Sequence, residues 1–367
     1  MDMNREQQRQ QSQLDFVASG QEIVVGSEAL LPLPLAQLRQ TTADSAYVVE
    51  TFAGGLTAHV YHIRVDGKDW NLKLKRPESL VKNVDGQTSF LNEVQRRRDF
   101  QQLKNQAATS KAFAHVVPTV YASFQHGVML SPWIEGNLLT EFNEVVLTQL
   151  FDTVVNFELQ GIIEWDLCPG NILFDGHDIS LFDFGYCYTF DPLSEFNSCG
   201  LDAPLFHSVE RLETRNFFGY LLKKESTWSQ REIMSLFELE KRLALQAYQR
   251  KYAALKKAGA QQQVLDWVQG FVQRWQQALS TPSALDDLFL VESFRSHLLD
   301  VNDDLHGQSC TPMTLQRLDR VEQVLTDHFD ALKKLDGLFF GDELLTQQAL
   351  LSRTTEQRRQ AKAFQLQ

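Results

Sequence analysis

The stretch 164–185 constrains this chain more than any other. It runs Glu164-Trp165-Asp166-Leu167-Cys168-Pro169-Gly170-Asn171-Ile172-Leu173-Phe174, turns at Asp175-Gly176, and returns through Ile179-Ser180-Leu181-Phe182 to Asp183-Phe184-Gly185. Two short apolar runs joined by a glycine turn predict antiparallel strands. Asn171 follows Asp166 by five positions, and Asp183 follows Asn171 by twelve. A rigid loop leading into such a hairpin brings three oxygen-bearing side chains together at one edge of a cleft. Oxygen donors of this kind suit a hard divalent cation.

The rest of the chain limits what surrounds that hairpin. Its 367 residues leave room for two or three domains, or one large two-lobed unit, at about 150 residues per domain. A net charge of −12 disfavours general binding to nucleic-acid phosphates. With 43% hydrophobic residues, 25 Phe among them, the chain can bury a sizeable core. No stretch reaches the roughly 18 apolar residues of a membrane span. Residues 1–13 are Gln- and Arg-rich with no apolar run, so a cytoplasmic location is expected. Cys168, Cys187, Cys199 and Cys310 form no CxxC pair, which argues against a zinc site or a disulfide framework.

Residues 46–74 are rich in β-branched and aromatic types, with Asp66-Gly67 as a hairpin turn, and predict an antiparallel sheet. A helix is predicted over 88–105 through Phe90 and Val94, strands near 116–124 and 128–134, and a buried helix over 138–160 capped at Gly161. Beyond Val209 the pattern is mostly helical, with capping-box spacing at Ser229/Glu232 and Ser283/Asp286 and an apolar stripe Val264, Trp267, Val268, Phe271 and Trp275. Both polar ends are expected to be exposed arms. Asp300, Asn302 and Asp304 have the spacing of a calcium loop, but Leu305 and Thr311 stand where that loop needs Gly and Glu, so a solvated turn is expected.

Glu164-Trp165-Asp166 with Asn171, followed by Asp183-Phe184-Gly185, resembles the catalytic loop and D-F-G motif of the protein kinase-like superfamily. Upstream, Gly54-Gly55 looks like a degenerate Gly-rich loop, Trp70-Asn71-Leu72-Lys73 stands where V-A-I-K would stand, and Phe90-Leu91-Asn92-Glu93-Val94 resembles the helix carrying the pairing Glu. Lys75, two residues from Lys73 on the same strand face, remains an alternative for the phosphate-binding lysine. Residues 129–136 resemble the connector between lobes that meets the adenine edge.

The resemblance implies an α+β, two-lobed kinase-like fold: a polar arm at 1–45, a small antiparallel-sheet lobe at 46–131, a large-lobe core at 132–225 and a helical C-terminal part at 226–367. It implies ATP and Mg²⁺ in the cleft, with Asn171 and Asp183 on the metal, Asp166 as the base, and Gly54, Gly55, Lys73 and Glu93 on the nucleotide side. A kinase acting on a protein Ser/Thr hydroxyl is the first expectation. A small-molecule or saccharide kinase, and a nucleotide-binding pseudokinase scaffold, are the alternatives. Three departures motivate these: Glu164-Trp165 replaces His-Arg before Asp166, Cys168 replaces a lysine, and no A-P-E follows the D-F-G. Any transition-state cation must then come from Mg²⁺, Lys73 or a basic group outside the motif. Cys168 itself reads as a small packing residue.

Overall fold

A computed structural model describes residues 4–366. The chain opens with α1 (Arg5–Ser19), started by a reciprocal cap between Asn4 and Gln7 and stopped by Gly20 at φ 67°. It continues through β1 (Val24–Gly26), α2 (Leu35–Leu38), β2 (Val48–Phe52), β3 (Ala58–Val65), β4 (Lys68–Lys75), α3 (Val84–Asn105), β5 (Tyr121–Ser123) and β6 (Val128–Pro132). All six strands form one antiparallel sheet in the order β1-β5-β6-β4-β3-β2. Asp66 and Gly67 take φ of 49° and 73°, the left-handed pair that a two-residue hairpin turn needs.

Alternation along β4 divides the sheet into two faces. Leu72 and Leu74 join Leu35, Leu38, Ile63 and Leu130 in one apolar cluster, while Met129 and Ala58 join Phe90, Leu91 and Val94 of α3 in another. Lys73 stands opposite Val60 and Met129 in register, so it points to the α3 side.

The large lobe contributes β7 (Asn137–Leu138), α4 (Glu144–Leu159), β8 (Ile162–Glu164), β9 (Ile172–Phe174), β10 (Ile179–Leu181) and β11 (Cys187–Thr189). The helices follow: α5 (Ser208–Leu212), a π-helical turn (Glu213–Phe217), α6 (Phe218–Lys224), α7 (Gln230–Ala258), α8 (Gln262–Ala278), α9 (Pro282–Gly307), α10 (Pro312–Lys334) and α11 (Gln347–Ala363). The result is a small antiparallel-sheet lobe with a helical remainder, the α+β arrangement expected of a kinase-like fold. Among the described residues no helix is long and apolar enough to cross a membrane.

Four local expectations are corrected. The described part of 1–45 is structured: Gln13 bonds Thr88 and Asn92 on α3, and β1 pairs with β5. Residues 1–3 and 367 lie outside the described residues. The C-terminal end is helix α11, whose Leu350 and Ala361 are buried. Thr281, with Pro282 behind it, caps α9 in place of Ser283. Asp300, Asn302 and Asp304 lie within α9, where Asp300 is buried in ion pairs and forms no solvated turn.

Candidate active site

The β9–β10 hairpin sets the site. Ile172 pairs with Leu181, and the Phe182 amide donates to the Asn171 carbonyl at 3.1 Å. Register therefore holds Asn171 beside the residue that precedes Asp183. Asp183 has φ 64°, a left-handed conformation that Asp tolerates better than most side chains but at some cost. Its carboxylate lies 2.9 Å from Lys73 Nζ.

Lys73 bridges the lobes from the other side. Its ammonium also lies 2.9 Å from Glu93 on α3, and Arg97 one turn further on donates to the second oxygen of Glu93 at 2.7 and 2.9 Å. Burial pulls the Lys73 ammonium down, yet Asp183 and Glu93 outweigh it and leave it raised. Burial likewise opposes ionisation of Glu93, but Lys73 and Arg97 hold that carboxyl below its ordinary value. Asp183 goes the other way: burial raises it, against the pull of Lys73. Lys75 lies elsewhere, its ammonium 4.8 Å from the Phe124 ring. The structure thus separates the two lysines that strand periodicity left equivalent.

Asp166 is gripped on every side. Its amide donates to Glu164 Oε1 at 2.8 Å, Asn171 Nδ2 donates to its carbonyl at 2.9 Å and to Oδ2 at 3.3 Å, and Arg215 Nε donates to Oδ1 at 2.9 Å. With Nδ2 engaged, Asn171 Oδ1 is the atom available to a cation. Glu164 is buried, and burial pushes its carboxyl up to about 8, so it holds the loop backbone largely as a neutral acid near pH 7. Burial also pushes the Cys168 thiol well up, which fits a packing residue and not a nucleophile.

Arg215 was not legible in the motifs. It arrives from the π-helical turn, while its neighbour Asn216 donates to the Leu167 carbonyl at 3.2 Å. Two adjacent side chains of that turn therefore hold the Asp166 loop. π-turns often mark such specialised positions. The one sequence signal is a run of four polar residues, Glu213-Thr214-Arg215-Asn216, between Leu212 and Phe217.

Gly54 and Gly55 lie in the connection between β2 and β3, along the roof of the same cleft. A Cβ on Gly55 would overlap the Ala58 carbonyl, whereas one on Gly54 would meet nothing. Val60, Val117, Ile134 and Leu173 add apolar walls. The connector is a poor donor strip, since Pro132 has no N–H and the Trp133 amide donates to the Asp69 carbonyl at 3.1 Å. Among the described residues no cluster of three or more His, Cys, Asp or Glu could hold a metal by itself. One carboxylate and one amide oxygen instead fit Mg²⁺, which keeps waters and shares substrate phosphates.

No protein family and no curated protein matches the sequence. Among solved structures, the kinase domain of PknI from M. tuberculosis is similar at 12% identity and a TM-score of 0.34, over 62% of this chain and 94% of that one.

Proposed function

We propose that this protein is an ATP- and Mg²⁺-dependent phosphotransferase that moves the γ-phosphoryl group to a hydroxyl acceptor. One observation carries the reading: Lys73 Nζ stands 2.9 Å from both Glu93 and Asp183, and Asn171 donates to Asp166 on the large-lobe wall of the same cleft. Phosphoryl transfer needs positioning and charge neutralisation more than covalent help. Lys73 would meet the α- and β-phosphates, and the 53–57 connection would cover them with backbone amides. Asp183 and Asn171 Oδ1 would hold Mg²⁺, which when bound neutralises the triphosphate oxygens. Asp166 Oδ2 would take the acceptor proton while the acceptor oxygen bonds to Pγ and the Pγ–O bond to ADP breaks.

The shape of the cleft favours a small acceptor over the protein hydroxyl first expected. The first turn of α1 and the last turn of α9 line it together, from Asn4 to Arg9 and from Asn302 to Gly307. Arg9 ties α1 to Asp85 on α3 at 2.7 Å and stacks 3.7 Å over Tyr188 of the large lobe, and the Lys82 amide donates to the Gly307 carbonyl at 3.3 Å. These ties obstruct the open platform that an extended peptide needs. The space, about 1490 Å³, exceeds the roughly 300–1,000 Å³ of a single small-molecule pocket, enough for a nucleotide and a second compact molecule. Asp202, Asp303 and Asp304 line it, with Asp303 paired to Arg211 and Asp304 3.7 Å from Arg215, a lining that suits a neutral polyol better than an anion.

Transfer of label from γ-labelled ATP into a cell lysate, separated into protein and small-molecule fractions, tests both statements. Wild type should label the small-molecule fraction in the presence of Mg²⁺, and Asp166→Ala should not. Label confined to protein would restore the protein acceptor. ATP binding with no transfer to any fraction would leave the scaffold reading standing.

A further inference from the structure

The large-lobe cation absent from the catalytic-loop motif is supplied from far along the chain, and it is anchored by the C-terminal helices. Arg215 Nε donates to Asp166 Oδ1 at 2.9 Å, and its NH1 donates to Asp300 Oδ1 on α9 at 2.5 Å, with Asp304 at 3.7 Å. The other oxygen of Asp300 lies 2.7 Å from Arg317 Nε on α10. Arg317 in turn donates to the Thr214 carbonyl at 2.9 Å and approaches His297 Nδ1 at 3.2 Å. Charges alternate along this chain: Arg317, Asp300, Arg215, Asp166. Arg317 and Asp300 are buried, and Arg215 and Asp166 sit at the cleft wall with about a fifth of each side chain in solvent.

The geometry fixes more than charge. A carboxylate that serves as a base must present one oxygen in a set direction. Arg215 occupies Oδ1, which leaves Oδ2, steered by Asn171, to face the acceptor. Guanidinium suits this task because its planar fork can bind two carboxylates at fixed angles, which a lysine ammonium cannot do. Replacing either carboxylate of the pair frees the fork to turn.

We infer that Arg215 is the positioning residue of Asp166, and that Asp300 on α9 and Arg317 on α10 hold it, so that the C-terminal helical part is required for turnover through this ion chain. This inference rests on the phosphotransfer reading. It makes 226–367 a structural component of the active centre, in addition to any surface it offers to partners.

The test uses the full-length chain, with steady-state transfer from ATP measured for Arg215→Gln, Arg215→Lys, Asp300→Asn and the surface control Arg320→Gln. A displaced base costs about 10²-fold in rate. Arg215→Gln and Asp300→Asn should therefore each lower kcat by about 10²-fold, with the KM for ATP changed less than about 3-fold, because neither group reaches the nucleotide side of the site. Arg215→Lys, which keeps the charge but loses the fork, should recover no more than about 10-fold of that loss. Arg320→Gln should stay within about 2-fold of wild type. Circular dichroism identifies any variant that fails to fold. If Arg215→Gln does, Arg215→Lys and Asp300→Asn decide the matter. Full activity in Asp300→Asn overturns the role of the C-terminal helices, and full activity in folded Arg215→Gln overturns the inference altogether. A parallel rise in the KM for ATP with constant kcat also overturns it. Wild type without transfer from ATP is a separate failure, that of the phosphotransfer reading itself, and it takes this role with it.

Discussion

Replacing Lys73 with Met removes an ammonium from between two carboxylates while keeping a straight apolar stem. Breaking one member of a buried ion pair costs about 3–5 kcal/mol when the partner is left without compensation. Here compensation is partial. Glu93 keeps both hydrogen bonds from Arg97, whereas Asp183 has no other ion pair among the described residues. Asp183 retains 36% side-chain exposure, so water screens its charge, and the expected loss falls to about 2 kcal/mol.

The pH dependence has a definite sign. Burial already raises the Asp183 carboxyl, and without Lys73 it rises further. An acid raised on folding binds more protons in the native state, so its contribution to stability declines as pH climbs from the unfolded pKa through the folded one. Glu93, held low by Lys73 and Arg97 in the wild type, contributes stability that is present at neutral pH and lost on acidification. The Asp183 effect makes the deficit of Lys73→Met larger near pH 8 than near pH 5, whereas the Glu93 contribution changes on the acid side of that interval. Urea denaturation of both proteins at the two pH values measures it. An equal deficit at both, or none, would show that Lys73 is not the cation balancing these carboxylates. Lys75→Met, which loses only a contact with Phe124, should cost less than about 1 kcal/mol.

Gly55→Ala drives a methyl group against the Ala58 carbonyl and should raise the KM for ATP several-fold at a stability cost of about 1–3 kcal/mol, while Gly54→Ala should change little; equal effects in steady-state kinetics would remove the special role of the 53–57 connection. Arg9→Ala breaks the tie to Asp85 and the stack on Tyr188, and should cost about 1–2 kcal/mol in thermal unfolding and expose the N-terminal segment to limited proteolysis; unchanged cleavage would mean that α1 is held by its other contacts. Glu164→Gln keeps the shape of the protonated acid. With the wild-type carboxyl raised by burial to about 8, wild type should lose stability between about pH 5 and about pH 8, with the penalty complete above that, and the variant should be the more stable protein near pH 9 by a few kcal/mol in order of magnitude. Parallel melting curves across that range would contradict a neutral Glu164.

What the sequence makes legible is what backbone periodicity and turn chemistry control. The Asp66-Gly67 hairpin, the β9–β10 hairpin and the apolar face of α3 are local patterns, and they are enough to deliver Lys73, Glu93, Asn171 and Asp183 to one cleft. The Gln- and Arg-rich composition of the start of α1 predicts an arm, whereas the helix docks mainly through polar side chains such as Gln13, with Phe16 as its one apolar anchor against Phe124 and the α3 cluster, which leaves no apolar stripe to detect. Arg215 was invisible for a different reason. Its partners, Asp166 and Asp300, lie 49 and 85 positions away, and no spacing rule links residues joined only by helix packing. The same packing puts Asp300 and Asp304 on one face of α9, where both approach Arg215, and turns Asn302 away from them to accept from Gln357. A basic group missing from a motif is therefore better sought in the helices that pack on the loop than in the loop itself. Because Asp300 and Arg317 sit on separate helices of the C-terminal part, that part and the Asp166 loop should unfold as one cooperative unit, and hydrogen exchange that protected one without the other would refute the coupling.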